Sequence, residues 1–90
     1  MTHNNPKNEL QARCQKVGLM IPEYETHYVG ADVTVNKPLW SSTVTLPQLG
    51  KVFTLKCPYV GSKKGAEKMV AQEALDALKE DPETRLFFTL

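Results

Sequence analysis

Apolar positions change their period along the chain, and each change marks an element. Over residues 6–17 Leu10, Cys14 and Val17 recur at helical spacing, with Asn5 placed as N-cap, Pro6 at the first helical position and Gly18 as a left-handed stop. After Leu19-Met20-Ile21-Pro22 the period falls to two. A first strand over residues 23–29 directs Tyr24, Thr26 and Tyr28 inward and Glu25 and His27 outward. In a second strand Trp40, Ser42, Val44 and Leu46 alternate against Ser41, Thr43 and Thr45. The connection, residues 30–38, contains Val33-Thr34-Val35, which suits an extension of either strand. A turn at Pro47-Gln48-Leu49-Gly50 leads into a third strand over residues 51–57. Phe53, Leu55 and Cys57 point one way there, while Lys51, Thr54 and Lys56 point mostly the other. Residues 58–61 are expected to stop the sheet.

Period 3.6 then returns over residues 62–79. Ala66, Val70, Ala71, Ala74, Leu75, Ala77 and Leu78 form one broad stripe, as a helix lying on a sheet requires, and Ser62 is the natural N-cap. Asp81-Pro82 ends this helix. The order predicts an α+β fold, a two-layer α-β-β-β-α sandwich with a three-stranded antiparallel sheet and both helices on one face. Residues 1–4 read as a disordered start, 5–80 as the domain and 81–90 as an apolar C-terminal extension. Leu86, Phe87 and Phe88 in that extension either fold back or join an interface.

Charge singles out the start of the second helix. Lys63 and Lys64 occupy its first turn, where the helix dipole favours acids, and Asp76, Glu80, Asp81 and Glu83 crowd the opposite end. Such a helix either carries two solvated lysines or keeps its basic end for an anion. With a net charge of +1, nucleic-acid affinity has to come from a local patch, for which Lys51, Lys56, Lys63, Lys64 and Lys68 are the candidates. On the first helix Asn8, Gln11, Ala12 and Gln15 share an outer stripe that is polar but uncharged. It suits hydrogen bonds to sugar hydroxyls and base edges, and an ordinary solvated helix face has the same pattern.

Cys14 and Cys57 have no metal-ligand spacing, and both fall on apolar faces, which predicts buried free thiols in a reducing compartment. No apolar run approaches the length of a membrane span and no signal-peptide core is present, so the expectation is a soluble intracellular protein of the nucleus or cytoplasm. Nothing implies a cofactor, a metal, a membrane or a small-molecule substrate. Ser62 has no base placed by local sequence and His3 lies in a loose start, so catalysis is not expected.

The pattern Gly61-Ser62-Lys63-Lys64-x-Ala66-x-x-x-x-Ala71-x-x-Ala74-Leu75 resembles the double-stranded RNA-binding domain (dsRBD). The Leu10-Gln11 step, Pro22-x-Tyr24 and the aromatic-led strand at Trp40 extend the likeness over residues 5–78. It implies duplex-RNA binding through three regions: the first helix in one minor groove, the loop between strands one and two in the next, and the start of the second helix on phosphates between them. Carried over, Lys63, Lys64 and Lys68 would bind phosphate, while Asn8, Gln11, Gln15, Asn36 and Lys37 would reach the minor grooves.

Several positions depart from the family. Ala12 stands where a glutamate usually reaches ribose hydroxyls, and no Gly-Pro-x-His loop is visible, His27 lying too early. Glu67 replaces the third lysine, either reversing a charge on the phosphate surface or pairing with Lys63. Weak to moderate affinity is implied, lowered by about tenfold or more through the lost phosphate contact. Family members with eroded RNA contacts resemble dimerisation modules. Here Val52, Thr54 and Lys56 on the third-strand edge, with Leu86, Phe87 and Phe88, would face another dsRBD protein or a second copy. An RNA-processing or RNA-silencing complex is the setting the resemblance implies.

Overall fold

A computed structural model of the chain describes residues 5–88, apart from the side chain of Phe87. The expected loose start at 1–4 and the last two residues of the extension lie outside the described residues.

Helix α1 (Pro6–Lys16) begins where Asn5 accepts a hydrogen bond from the Lys7 amide at 2.9 Å, and Gly18 takes the positive φ of 81° that follows its end. Strands β1 (Glu23–Asp32), β2 (Lys37–Leu46) and β3 (Lys51–Thr54) pair antiparallel in that order, with a 3-10 turn at Pro47–Leu49 between β2 and β3. A two-residue strand β4 (Tyr59–Val60) rejoins β2 at Leu39 and Trp40. Helix α2 (Lys63–Glu80) lies across the sheet beside α1, and a short helix α3 (Arg85–Phe88) follows. The fold is the α-β-β-β-α sandwich expected, with β4 added.

The core lies between the layers. Ala66, Val70, Ala71, Ala74, Leu75 and Leu78 of α2 are buried against Leu10 and Cys14 of α1 and against Val44, Leu46 and Leu55 from the sheet side. Alanines at three of these positions let the helix approach the sheet closely, which is why the stripe mixes small and large residues.

Four local expectations are corrected. The first strand runs on to Asp32 and closes as a hairpin through residues 33–36, where Asn36 adopts a left-handed φ of 54°. Tyr28 is 60% exposed rather than inward. Its ring meets its cross-strand partner Trp40 edge-on at 5.7 Å, at the last regular pair before the β1–β2 register shifts between Tyr28 and Gly30, while the Trp40 indole donates to the Gly61 carbonyl just before α2. Residues 58–61 do not stop the sheet, because the chain leaves β3 after Thr54, bends at Lys56 and Cys57 and then returns as β4. The bend leaves Cys57 exposed, whereas Cys14 is buried as expected.

The tail folds back. Thr84 donates to the Leu78 carbonyl at 2.7 Å, and Phe88 is fully buried in the same core. A buried ring cannot serve a partner, so Phe88 leaves the expected interface set; Leu86 remains 70% exposed, and the Phe87 side chain lies outside the described residues.

Candidate nucleic-acid interface

The start of α2 is held by its expected cap and by contacts that local sequence does not reveal. Ser62 caps it, accepting from the Gly65 amide at 3.0 Å. Gly61, at φ 134°, donates its amide to the Pro38 carbonyl at 2.9 Å and accepts from Trp40 at 3.2 Å. The Tyr59 ring lies against Gly65 so closely that a Cβ there would fall 2.2 Å from ring carbon Cε2. Strand β2 and the β4 aromatic thereby aim the first turn of α2 outward.

That turn presents Lys63 and Lys64, and one turn on Lys68, all exposed. Among the described residues the side chains of Lys64 and Lys68 make no hydrogen bond or ion pair. The amides of Lys63 and Lys64 have no acceptor within the helix, so ammonium groups and helix dipole reinforce one another. Such a group of donors suits phosphate oxygens.

A cleft of about 280 Å³ joins this turn to the start of α1 and is lined by Asn5, Lys7, Asn8, Lys64, Glu67 and Lys68. Asn8 thus shares the cleft with Lys64 and Lys68, while Gln11 and Gln15 continue along α1 as exposed residues outside it. Asn36 and Lys37 are exposed at the hairpin tip, two and one residues before Pro38, whose carbonyl accepts from the Gly61 amide just ahead of α2. The start of α1 therefore adjoins the start of α2 through the cleft, and the hairpin adjoins the entry to α2 through the Pro38–Gly61 bond.

Glu67 pairs neither with Lys63 nor with solvent alone. Its Oε1 accepts from Lys7 Nζ at 2.6 Å and its Oε2 from the Thr26 hydroxyl at 3.0 Å. Partial burial pushes the Glu67 carboxyl up, but the hydrogen bonds from Lys7 and Thr26 and the charges of Lys7 and Lys63 outweigh it and hold the group below its ordinary value. Thr26 is in turn 3.0 Å from the hydroxyl of buried Ser42, and Lys7 Nζ sits 4.8 Å above the Tyr24 ring. Lys7 and Thr26 were not legible as site residues, since they lie 60 and 41 positions from Glu67.

Lys51 leaves the expected basic patch. It points to the helix side of β3 and bonds Asp81 at 2.9 Å, at the far end of α2. On the outer edge of β3, Val52 is 61% exposed and Thr54 and Lys56 are exposed. A groove of about 450 Å³ separates these residues from Glu73, Asp76 and Glu80 of α2. Among the described residues no cluster of three or more His, Cys, Asp or Glu could hold a metal, and no helix is long and apolar enough to cross a membrane.

No protein-family model matches the sequence, and no curated protein matches it. A solved structure does: the solution structure of both dsRBDs of DRB4 with their linker superposes with a TM-score of 0.66 at 26% identity over 86% of this chain. The chain is a dsRBD-like domain. It spans 47% of the DRB4 chain, which carries two such domains. The dsRBD-like fold is a binding fold.

Proposed function

We propose that this domain binds duplex RNA by shape, with weak to moderate affinity. Lys63, Lys64 and Lys68 take phosphates, while Asn8, Gln11 and Gln15 meet one minor groove and Asn36 and Lys37 the next. The observation that carries this reading is the convergence of uncommitted lysines and the polar start of α1 on one cleft, in a fold similar to that of the DRB4 dsRBDs. A place in an RNA-processing or RNA-silencing assembly is part of the same proposal, and it rests on the sequence resemblance alone. Titration with duplex RNA and duplex DNA of one sequence at two salt concentrations tests it. Preference for RNA, weakening with salt, is the expected result; equal and negligible binding to both would sink the reading.

The exposed β3 edge favours a second activity beside the first. A free strand edge next to a groove accepts an added strand, which makes pairing with another dsRBD-like domain or a second copy the companion proposal, with Val52, Thr54, Lys56 and Leu86 at the contact. Light scattering across concentrations, with and without a Val52→Lys change, tests it. A monomer at every concentration removes self-association.

A further inference from the structure

We infer that Glu67 is a positioning residue for RNA binding: with Lys7 and Thr26 it straps the start of α1 to α2 and β1, and so sets the preference of the surface for RNA over DNA. The inference rests on the duplex-RNA reading above.

A glutamate at this position looks at first like a lysine lost from the phosphate surface. The geometry says otherwise, because both carboxylate oxygens are engaged by other elements, Lys7 of α1 at 2.6 Å and Thr26 of β1 at 3.0 Å. The side chain of Glu67 is only 15% exposed and that of Lys7 35%. A charge-assisted bond of this length fixes direction as well as distance. Thr26 is anchored through buried Ser42, and Lys7 is steadied over the Tyr24 ring, so the strap ends on rigid parts of the sheet.

What the strap holds matters for recognition. The buried anchors of α1, Leu10 and Cys14, lie toward its middle and end, and a second link to α2, Glu9 to Lys79, is longer at 3.6 Å. Lys7 therefore fixes the first turn, the one that carries Asn8 into the shared cleft. Phosphate contacts on α2 are insensitive to sugar identity, whereas ribose hydroxyls have to be met by the uncharged donors and acceptors of α1. The angle between the two helices decides whether both sets of contacts can be made on one duplex.

Lysine at position 67 separates positioning from charge. Glu67→Lys removes an acid and adds a base, so charge alone predicts tighter RNA binding and a salt slope steeper by about 0.9 for one added phosphate contact. The strap predicts in addition that the RNA-over-DNA ratio falls, by about tenfold for one or two misaligned hydrogen bonds. The swap Lys7→Glu with Glu67→Lys restores the ion pair and should recover the ratio. Thr26→Val loosens the strap at constant charge, so it should lower the ratio with the salt slope unchanged; it also decides the matter if the lysine variant does not fold. An RNA-over-DNA ratio that stays at the wild-type value in Thr26→Val and Glu67→Lys overturns the strap and leaves the RNA reading standing. Wild-type protein that shows no preference for RNA overturns both.

Discussion

Alanine at position 65 sets two effects of opposite sign against each other. Gly65 lies in the first turn of α2, and a glycine-to-alanine change inside an unobstructed helix stabilises it by about 0.8–1.0 kcal/mol. Here the new methyl would fall 2.2, 2.5 and 2.7 Å from Cε2, Cζ and Oη of Tyr59. Non-bonded carbons rest at about 3.5–4.0 Å, so the far edge of the ring has to retreat by more than about 1 Å. The Tyr59 backbone cannot follow, because it is paired with Trp40 in the sheet. Overpacking of this kind costs about 1–3 kcal/mol, which exceeds the gain in helix propensity and leaves a net loss of about 0–2 kcal/mol. Urea unfolding of Gly65→Ala, Tyr59→Ala and the double variant measures the balance. Once the ring is gone, the same Gly65→Ala change should stabilise by about 0.8–1.0 kcal/mol, reversing its sign. Equal stabilisation in both backgrounds would refute the argument, since the ring could not then be what reserves this position for glycine.

Four further outcomes are expected. Replacing Lys63 and Lys64 by glutamine removes about two phosphate contacts and should flatten the salt slope of RNA binding by about 1.8, or roughly 12-fold less affinity change between 50 and 200 mM salt; isothermal or fluorescence titration reads it, and fold stability should hold because helix-start lysines oppose the dipole. Glu67 has a folded-state pKa below its unfolded value, so its contribution to stability is present above the unfolded value near pH 4.3 and is lost as pH falls through the lower folded value. Thermal unfolding of wild type and Glu67→Gln should accordingly differ at pH 7 and converge on acidification. A thiol-specific reagent at pH 7 should modify Cys57 in the native protein and spare Cys14, whose burial raises its pKa to about 11; both should react in denaturant, as mass spectrometry would show. Phe88→Ala should cost about 3–5 kcal/mol in chemical unfolding, a large share of the total for a domain of this size, because the ring is fully buried.

Much of the architecture is written in local pattern. The α2 stripe from Ala66 to Leu78, the alternation of Trp40, Ser42, Val44 and Leu46, and the Asn5 and Ser62 caps each follow from spacing and turn chemistry within a few residues. Elements whose limits depend on what covers them were less legible. Tyr28 has the period of an inward residue but lies exposed at the register shift in β1, and Cys57 has the parity of a core residue but sits on a bend past the end of β3. Val33 and Val35 look like strand residues and instead occupy the hairpin turn, 92% and 51% exposed. In each case side-chain parity was right only as far as the local ladder continued.

The surface divides in the same way. Lys63, Lys64 and Lys68 are legible because their meaning is local, a basic helix start marked by its own cap. Lys51 and Glu67 are not, since their charges are settled by partners remote in sequence, Asp81 at 30 positions and Lys7 at 60. Sequence alone determined the order of elements, the core stripe and the basic pole of α2, all of which depend on neighbours along the chain. Tertiary structure alone decided that β4 rejoins the sheet, that Phe88 completes the core, and that the acid among the lysines is a strut between two helices and a strand. Ion pairs and ring contacts form wherever folding brings charges and faces within a few ångströms, and no spacing along the chain encodes that distance.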